Sequence, residues 1–162
     1  MQTIADIMSY GLAAATPQSS LKDALERMRD ARVGALPVRE DERLVGIVTE
    51  EDIRQRASAD EADWDSKPVA QVMTQDPVWC FDDQPADDVL LLMARHAVRH
   101  VPVLDRNMRI EGMVSLTDMA NRVAGFSDEV RQEAERVFGP EQLASTPTHG
   151  HRTSTSTADG RF

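Results

Sequence analysis

The sequence predicts an α/β protein of the α+β kind, built from two copies of a strand–helix–strand–strand–helix unit. Phrases recur in order at a fixed offset. Ile4-Ala5-Asp6-Ile7-Met8-Ser9 matches Val69-Ala70-Gln71-Val72-Met73-Thr74, Met28 matches Met93, and Leu36-Pro37-Val38 matches Val101-Pro102-Val103, all 65 positions apart. A closing phrase, Gly46-Ile47-Val48-Thr49-Glu50-Glu51-Asp52, returns as Gly112-Met113-Val114-Ser115-Leu116-Thr117-Asp118, 66 positions on, so one residue was gained in a turn. Within each copy, apolar residues fall into helical stripes and short strand runs. Two copies at so long a period do not make a solenoid; they predict two similar units that pack together with a site between them.

In the first unit, residues 1–58, Leu12 to Thr16 reads as a short strand. Ser20 is a candidate N-cap for a helix whose stripe is Leu21, Ala24, Leu25 and Met28, and Gly34 closes that helix region. Ala35 to Arg39 and Leu44 to Val48 are strands around a polar turn, and a helix from Glu50 turns Ile53 inward. The second unit, 69–125, repeats the order. Val78 to Phe81 is a strand, Ala86 opens a helix with Val89, Leu92, Met93 and Ala97 inward, Val101 to Leu104 and Ile110 to Val114 are strands, and Thr117 to Val123 is the closing helix. The turn Asp105 to Arg109 holds the extra residue. An acidic linker over 59–68, interrupted by Trp64, joins the units. After them come an amphipathic helix over 126–139, capped by Ser127 with Val130, Ala134, Val137 and Phe138 on one face, and a Ser/Thr-rich tail over 140–162 expected to be disordered. His149 and His151 in that tail read as solvated rather than as metal ligands.

Composition excludes several classes. The 162 residues are 41% hydrophobic and carry a formal charge of -10, which argues against binding to nucleic acid, where phosphates need clustered Lys and Arg. The longest apolar run, Val89 to Ala94, cannot span a bilayer, and the N-terminus has no secretory pattern. Cys80 is the only cysteine, so neither an internal disulfide nor a zinc site needing several thiolates can form. A cytoplasmic protein is expected.

The closing phrases carry the chemistry. Thr49-x-x-Asp52 and Ser115-x-x-Asp118 stand at strand-to-helix junctions, where a capping box belongs. Both copies use Asp where Glu or Gln is usual. A carboxylate there can also accept hydrogen bonds from the two hydroxyls of a ribose, and a hydroxyl beside free helix amides suits a phosphate.

The order of elements, the Met-Ser and Met-Thr openings, the Leu-Pro-Val and Val-Pro-Val strands and the two G-h-V-[TS]-x-x-D endings resemble a tandem pair of CBS domains, a Bateman module, from about Thr3 to Val123. The resemblance implies pseudo-twofold units packed sheet to sheet, leaving two clefts for an adenosine-containing ligand such as AMP, ADP, ATP or S-adenosylmethionine. It implies that Asp52 and Asp118 hold ribose and that Thr49 and Ser115 meet the polar end. The adenine walls would come from segments around Ala14 and Thr16, from Val78 to Phe81, and from the strands Ala35-Leu36-Pro37 and Val101-Pro102. Arg99 and His100 stand where related modules place a basic residue near phosphate, against Gly34-Ala35 in the first copy. The cleft built on Ser115, Asp118 and His100 is therefore expected to prefer phosphate. Trp79 and Phe81 either stack on a base or fill core.

The function these readings favour is a non-catalytic sensor with an adenine nucleotide, AMP foremost, as its regulatory ligand and no cofactor. Occupancy would be passed to a homodimer or to a separate protein partner. The alternative is a structural dimerisation module with vestigial sites. An enzyme is disfavoured because no nucleophile–base pair, metal-ligand cluster or glycine-rich phosphate loop is present. The stripe on the 126–139 helix needs burial somewhere, which suggests a dimer contact.

Overall fold

The computed structural model describes residues 1–11, 13–59 and 62–144. In chain order the elements are α1 (Ile4–Ile7), β1 (Ser9–Tyr10), α2 (Leu21–Ala31), β2 (Ala35–Glu40), β3 (Arg43–Thr49) and α3 (Glu50–Ser58). Then follow β4 (Thr74–Gln75), β5 (Cys80–Phe81), α4 (Ala86–His96), β6 (His100–Leu104), β7 (Ile110–Ser115), α5 (Leu116–Arg122) and α6 (Asp128–Phe138). Each copy supplies an antiparallel hairpin, β2–β3 and β6–β7, with helices packed against its sheet.

The two copies exchange their openings. One sheet has the order β1-β7-β6-β5 and the other β2-β3-β4. Strand β1 of the first copy therefore edges the second copy's hairpin, with Ser9 opposite Met113 and Tyr10 opposite Gly112. Strand β4 of the second copy edges the first, with Gly46 opposite Gln75 and Ile47 opposite Thr74. The repeated glycine follows from this crossing. A β-carbon on Gly46 would stand 2.9 Å from the Thr74 carbonyl oxygen and from the Met73 sulfur; one on Gly112 would stand 2.1 Å from the Ser9 carbonyl oxygen.

The cores obey the same exchange. Ile4, Ile7 and Met8 are buried with Val89, Met93, Val101, Val103, Val114 and Met119 of the second copy. Val69 joins Leu21, Ala24, Met28, Leu36, Val38, Val48 and Ile53 of the first, with Val72 and Met73 packed alongside. Removing this much apolar surface from water is the main stabilising term. Side chains alternate along the hairpins, so Leu36 and Val101 enter the cores while Ala35, Ile47 and Met113 meet between the sheets.

Several expectations change. The first-copy strand over 12–16 is a single parallel bridge. The Ala15 N–H donates to the Pro37 carbonyl at 3.0 Å, and Arg39 returns a bond to Ala15 at 2.9 Å. Leu12 lies outside the described residues. Ser20 does cap α2, its hydroxyl accepting from the Asp23 N–H at 3.0 Å. The helix stops at Arg32, φ 56°, rather than at Gly34, and α4 stops the same way at Ala97, φ 51°, which is exposed rather than inward.

The segment joining the copies is also more structured than a solvated linker. Trp64–Ser66 forms a 310 turn whose tryptophan packs on the first core. The apolar stripe of α6 is covered within the chain. Ala134 is fully buried, and Val130, Val137 and Phe138 pack on the second core, which removes that face as evidence for a dimer. Ser127 stands at the N-cap without a side-chain capping bond. Pro140–Gln142 forms a further 310 turn and Leu143 packs on the second core, so order extends past 140. The tail expected to be disordered, with His149 and His151, otherwise lies outside the described residues from 145 onward. Among the described residues no helix is long and apolar enough to cross a membrane.

Candidate functional site

Both repeated signatures are capping boxes in full. The Thr49 N–H donates to Asp52 Oδ2 at 3.1 Å, and the Asp52 N–H donates to Thr49 Oγ1 at 3.1 Å. The Ser115 N–H donates to Asp118 Oδ2 at 2.9 Å, and the Asp118 N–H donates to Ser115 Oγ at 3.0 Å. A similar box heads α1, where Asp6 accepts from the Thr3 N–H at 3.0 Å, so the motif alone reports capping. In all three boxes one carboxylate oxygen is left over, so what distinguishes the repeated pair is its recurrence at a strand-to-helix junction and, for Asp52, a place in a cleft. Among the described residues, Oδ1 of Asp52 and of Asp118 accepts no hydrogen bond. One oxygen fixes the helix start; the other is available to a donor.

A cleft of about 760 Å³ opens over the first of these boxes. The first copy lines it with Gly34, Ile47, Thr49, Asp52 and the start of α3. The second copy lines it with Thr74, the wall Asp76-Pro77-Val78, and the run Ala97 to His100. Two copies therefore build one site, as the repeat predicts. The exchange explains the pairing, since β4 carries the Asp76–Val78 wall across to β3 and so to Thr49.

Arg99 and His100 are placed differently from the sequence reading. The sequence groups them with Ser115 and Asp118; the cleft groups them with Thr49 and Asp52, although Asp118 stays close enough to act on the imidazole. The reason is orientation at the copy interface. His100 pairs with Ser115 through the backbone, but its imidazole Cε1 lies 3.4 Å from where a β-carbon on Gly34 would stand. The missing side chain at Gly34 is what lets the ring cross into the other copy. Burial lowers the His100 pKa from 6.5; Asp118 and Asp52 pull it up and Arg99 pushes it down. The ring is thus neutral at pH 7 and offers a hydrogen bond, not a charge.

Arg99 is exposed, yet it is held in place. Its Nη1 donates to Gln142 Oε1 at 3.2 Å, and its guanidinium carbon lies 5.7 Å from the Phe138 ring centroid. Elsewhere on the wall, Arg54 is paired with Glu50 at 2.5 Å, and Glu51 and Asp76 add negative charge.

The remaining candidates serve the frame. Leu36 and Val101 are fully buried core residues; Pro37 and Pro102 are buried in the hairpins opposite Ile47 and Met113. Ala35 is buried between the sheets. The Ala14 carbonyl accepts from Arg27 Nη1 at 3.0 Å, and the Thr16 N–H donates to Ser19 Oγ at 3.0 Å, fixing the approach to α2.

Trp79 is 36% exposed and lines a second cavity, of about 460 Å³, with Arg43, Leu44 and Met108; this is neither core nor the main cleft. Phe81 meets Trp79 edge-on at 4.9 Å and lies under Arg106 at 3.9 Å. Sequence reasoning missed Asp76 and Pro77, which form a wall shared by the two cavities. Their signal was the Asp-Pro dipeptide aligned with Gly11, and Asp76 adopts φ 48°. Among the described residues no cluster of His, Cys, Asp and Glu could hold a metal ion.

Two exchanged α+β repeats with a cleft at their interface and a capping carboxylate in its wall define a paired-repeat module. The chain belongs to the CBS-domain family, whose model matches residues 4–59 and 69–125, a tandem pair. It is 38% identical over 122 residues to the uncharacterized protein YlbB of Bacillus subtilis, covering 74% of this chain and 81% of that protein. The CBS domain pair of protein MJ0100, solved with 5'-methylthioadenosine and S-adenosyl-L-methionine, matches with a TM-score of 0.66 at 26% identity, covering 74% of this chain and 94% of that one. CBSX2, solved with AMP, matches with a TM-score of 0.62 at 26% identity, covering 73% and 93%.

Proposed function

We propose that this chain is a non-catalytic sensor that binds an adenosine-containing ligand in the cleft over Asp52. AMP is favoured over ADP, ATP and S-adenosylmethionine. The observation that carries the reading is the free Oδ1 of Asp52 in a wall shared by both copies. Ribose hydroxyls donate to that oxygen, Ile47, Pro77 and Val78 offer apolar surface to the base, and Arg99 and neutral His100 receive the polar end. One phosphate suits a wall whose cations are few. The Asp118 box is the pseudo-symmetric counterpart and takes a second, weaker ligand. The solved complexes of MJ0100 and CBSX2 with adenosyl ligands support the assignment.

Occupancy is transmitted through a homodimer or a separate protein partner in the cytoplasm. Exposed Tyr10, Trp79 and Met108 support a contact surface, and the free, buried Cys80 suits a reducing compartment. Light scattering that gives a monomer at tens of micromolar would exclude the dimer. The second reading, a structural module, is favoured by the completeness of both capping boxes, which gives each Asp a purely structural use. Calorimetry with AMP, adenosine and S-adenosylmethionine separates the two. Binding of at least one supports the sensor, and binding of none leaves the structural module.

A further inference from the structure

Arg99 stands between the cleft and a segment that belongs to neither repeat. It lines the cavity beside His100, while its guanidinium is held by Gln142 Oε1 at 3.2 Å and by the Phe138 ring at 5.7 Å. Phe138 ends α6 and Gln142 ends the 310 turn that follows. That segment is itself seated, through Ala134, Val137 and Leu143, on the second core. The tether is therefore anchored at its far end.

The cleft has reason to need such a tether. Arg54 is paired with Glu50, and His100 is kept neutral by burial. Among the described residues Arg99 is the one lining cation without a carboxylate partner, and Glu51 and Asp76 line the same cleft. An untethered arginine spreads over many rotamers, and ordering it on binding costs free energy. A guanidinium has five N–H donors, so a single bond to an amide oxygen leaves most of them for a ligand.

We propose that Gln142 and Phe138 are positioning residues that hold Arg99 at the cleft and thereby set its preference for an anionic ligand over an uncharged one. The α6 segment then acts as a specificity element for a site built by the repeats. This rests on the adenosyl-ligand reading of the cleft.

Calorimetry on the full chain tests it, with AMP, adenosine and inorganic pyrophosphate as ligands. Arg99→Ala gives the reference loss in the AMP-to-adenosine affinity ratio. Gln142→Ala and Phe138→Leu are expected to lower that ratio about three- to tenfold, as loss of a hydrogen bond or ring contact would, with adenosine affinity held within about twofold. Phe138→Tyr keeps the ring face and is expected to keep the ratio, which a general loosening of α6 would not explain. A ratio unchanged in both Gln142→Ala and Phe138→Leu, while Arg99→Ala loses it, overturns the proposal. So does a ratio that rises, because the tether would then compete with the ligand. If the wild type takes no adenosine or AMP, the adenosyl reading fails and pyrophosphate alone decides. Weaker pyrophosphate binding in Gln142→Ala than in wild type upholds the positioning role; equal binding, or none by wild type, rejects it.

Discussion

Gly112 and Ser9 are locked together: a β-carbon on the glycine would stand 2.1 Å from the serine carbonyl oxygen. This contact joins the closing phrase of the second copy to the opening of the first. A backbone atom cannot swing aside as a side chain can, so Gly112→Ala must push β1 off the sheet edge. The expected loss is about 2–3 kcal/mol, at the upper end of overpacking costs. Gly46→Ala meets the Thr74 oxygen at 2.9 Å and the flexible Met73 thioether, and should cost less. Urea unfolding of both variants checks the order; equal losses would mean that the exchanged edges are not held as described.

The two aspartates should separate in binding but not in folding. Each anchors one capping box, worth about 1 kcal/mol. Asp52→Ala also removes the acceptor in the large cleft, where hydrogen bonds to a charged group contribute roughly 1.5–3 kcal/mol each. AMP affinity is expected to fall at least about tenfold in Asp52→Ala and by less in Asp118→Ala. Calorimetry giving the reverse order would return the phosphate preference to the Asp118 cleft.

His100 should make stability sensitive to mild acid. Its folded pKa lies below 6.5, first because of burial. The unfolded chain therefore takes up a proton that the folded ring resists, so its contribution is whole above about pH 6.5 and is lost as pH falls through the folded value. Nearby Asp118 and Asp52 limit the effect. Comparing urea unfolding at pH 7.5 and 5.5, His100→Gln should lose less stability than wild type; identical pH slopes would contradict a ring held neutral.

Cys80 is fully buried, and its thiol is pushed up to about 12, mainly by burial with Asp82 adding to it. Because the thiolate is the reactive form, native protein at pH 8 should label with iodoacetamide on the order of a thousandfold more slowly than unfolded protein. Rapid native labelling would show that β5 opens readily.

The repeat made most of the fold legible. Matching phrases located both hairpins, both capping boxes and the apolar stripes of α2 and α4. The exchange of openings was not legible, because aligning Met8-Ser9 with Met73-Thr74 shows that they are equivalent but not whose partner each becomes. The same blindness groups Arg99 and His100 only with Asp118 of their own copy, although the imidazole also reaches across the gap left by Gly34 to the first. Amphipathicity identified the α6 face without saying that the second core of the same chain covers it. Arg32 shows a limit of another kind, since a left-handed helix end is readily read at glycine and here falls on an arginine two residues earlier.

The exchange also sets an order of events during synthesis. Ile4, Ile7 and Met8 have their core and their strand partner in residues 86–119, which are synthesised well after them. At translation rates of about 5–20 residues per second they remain without that partner for roughly 5–20 s. The hairpin β2–β3 and helices α2 and α3 emerge in that interval and are completed only when Val69 to Thr74 follows. The opening of the first copy is thus placed after that copy's own hairpin, and until β6 and β7 arrive the newborn protein carries Ile4, Ile7 and Met8 as an uncommitted apolar stretch.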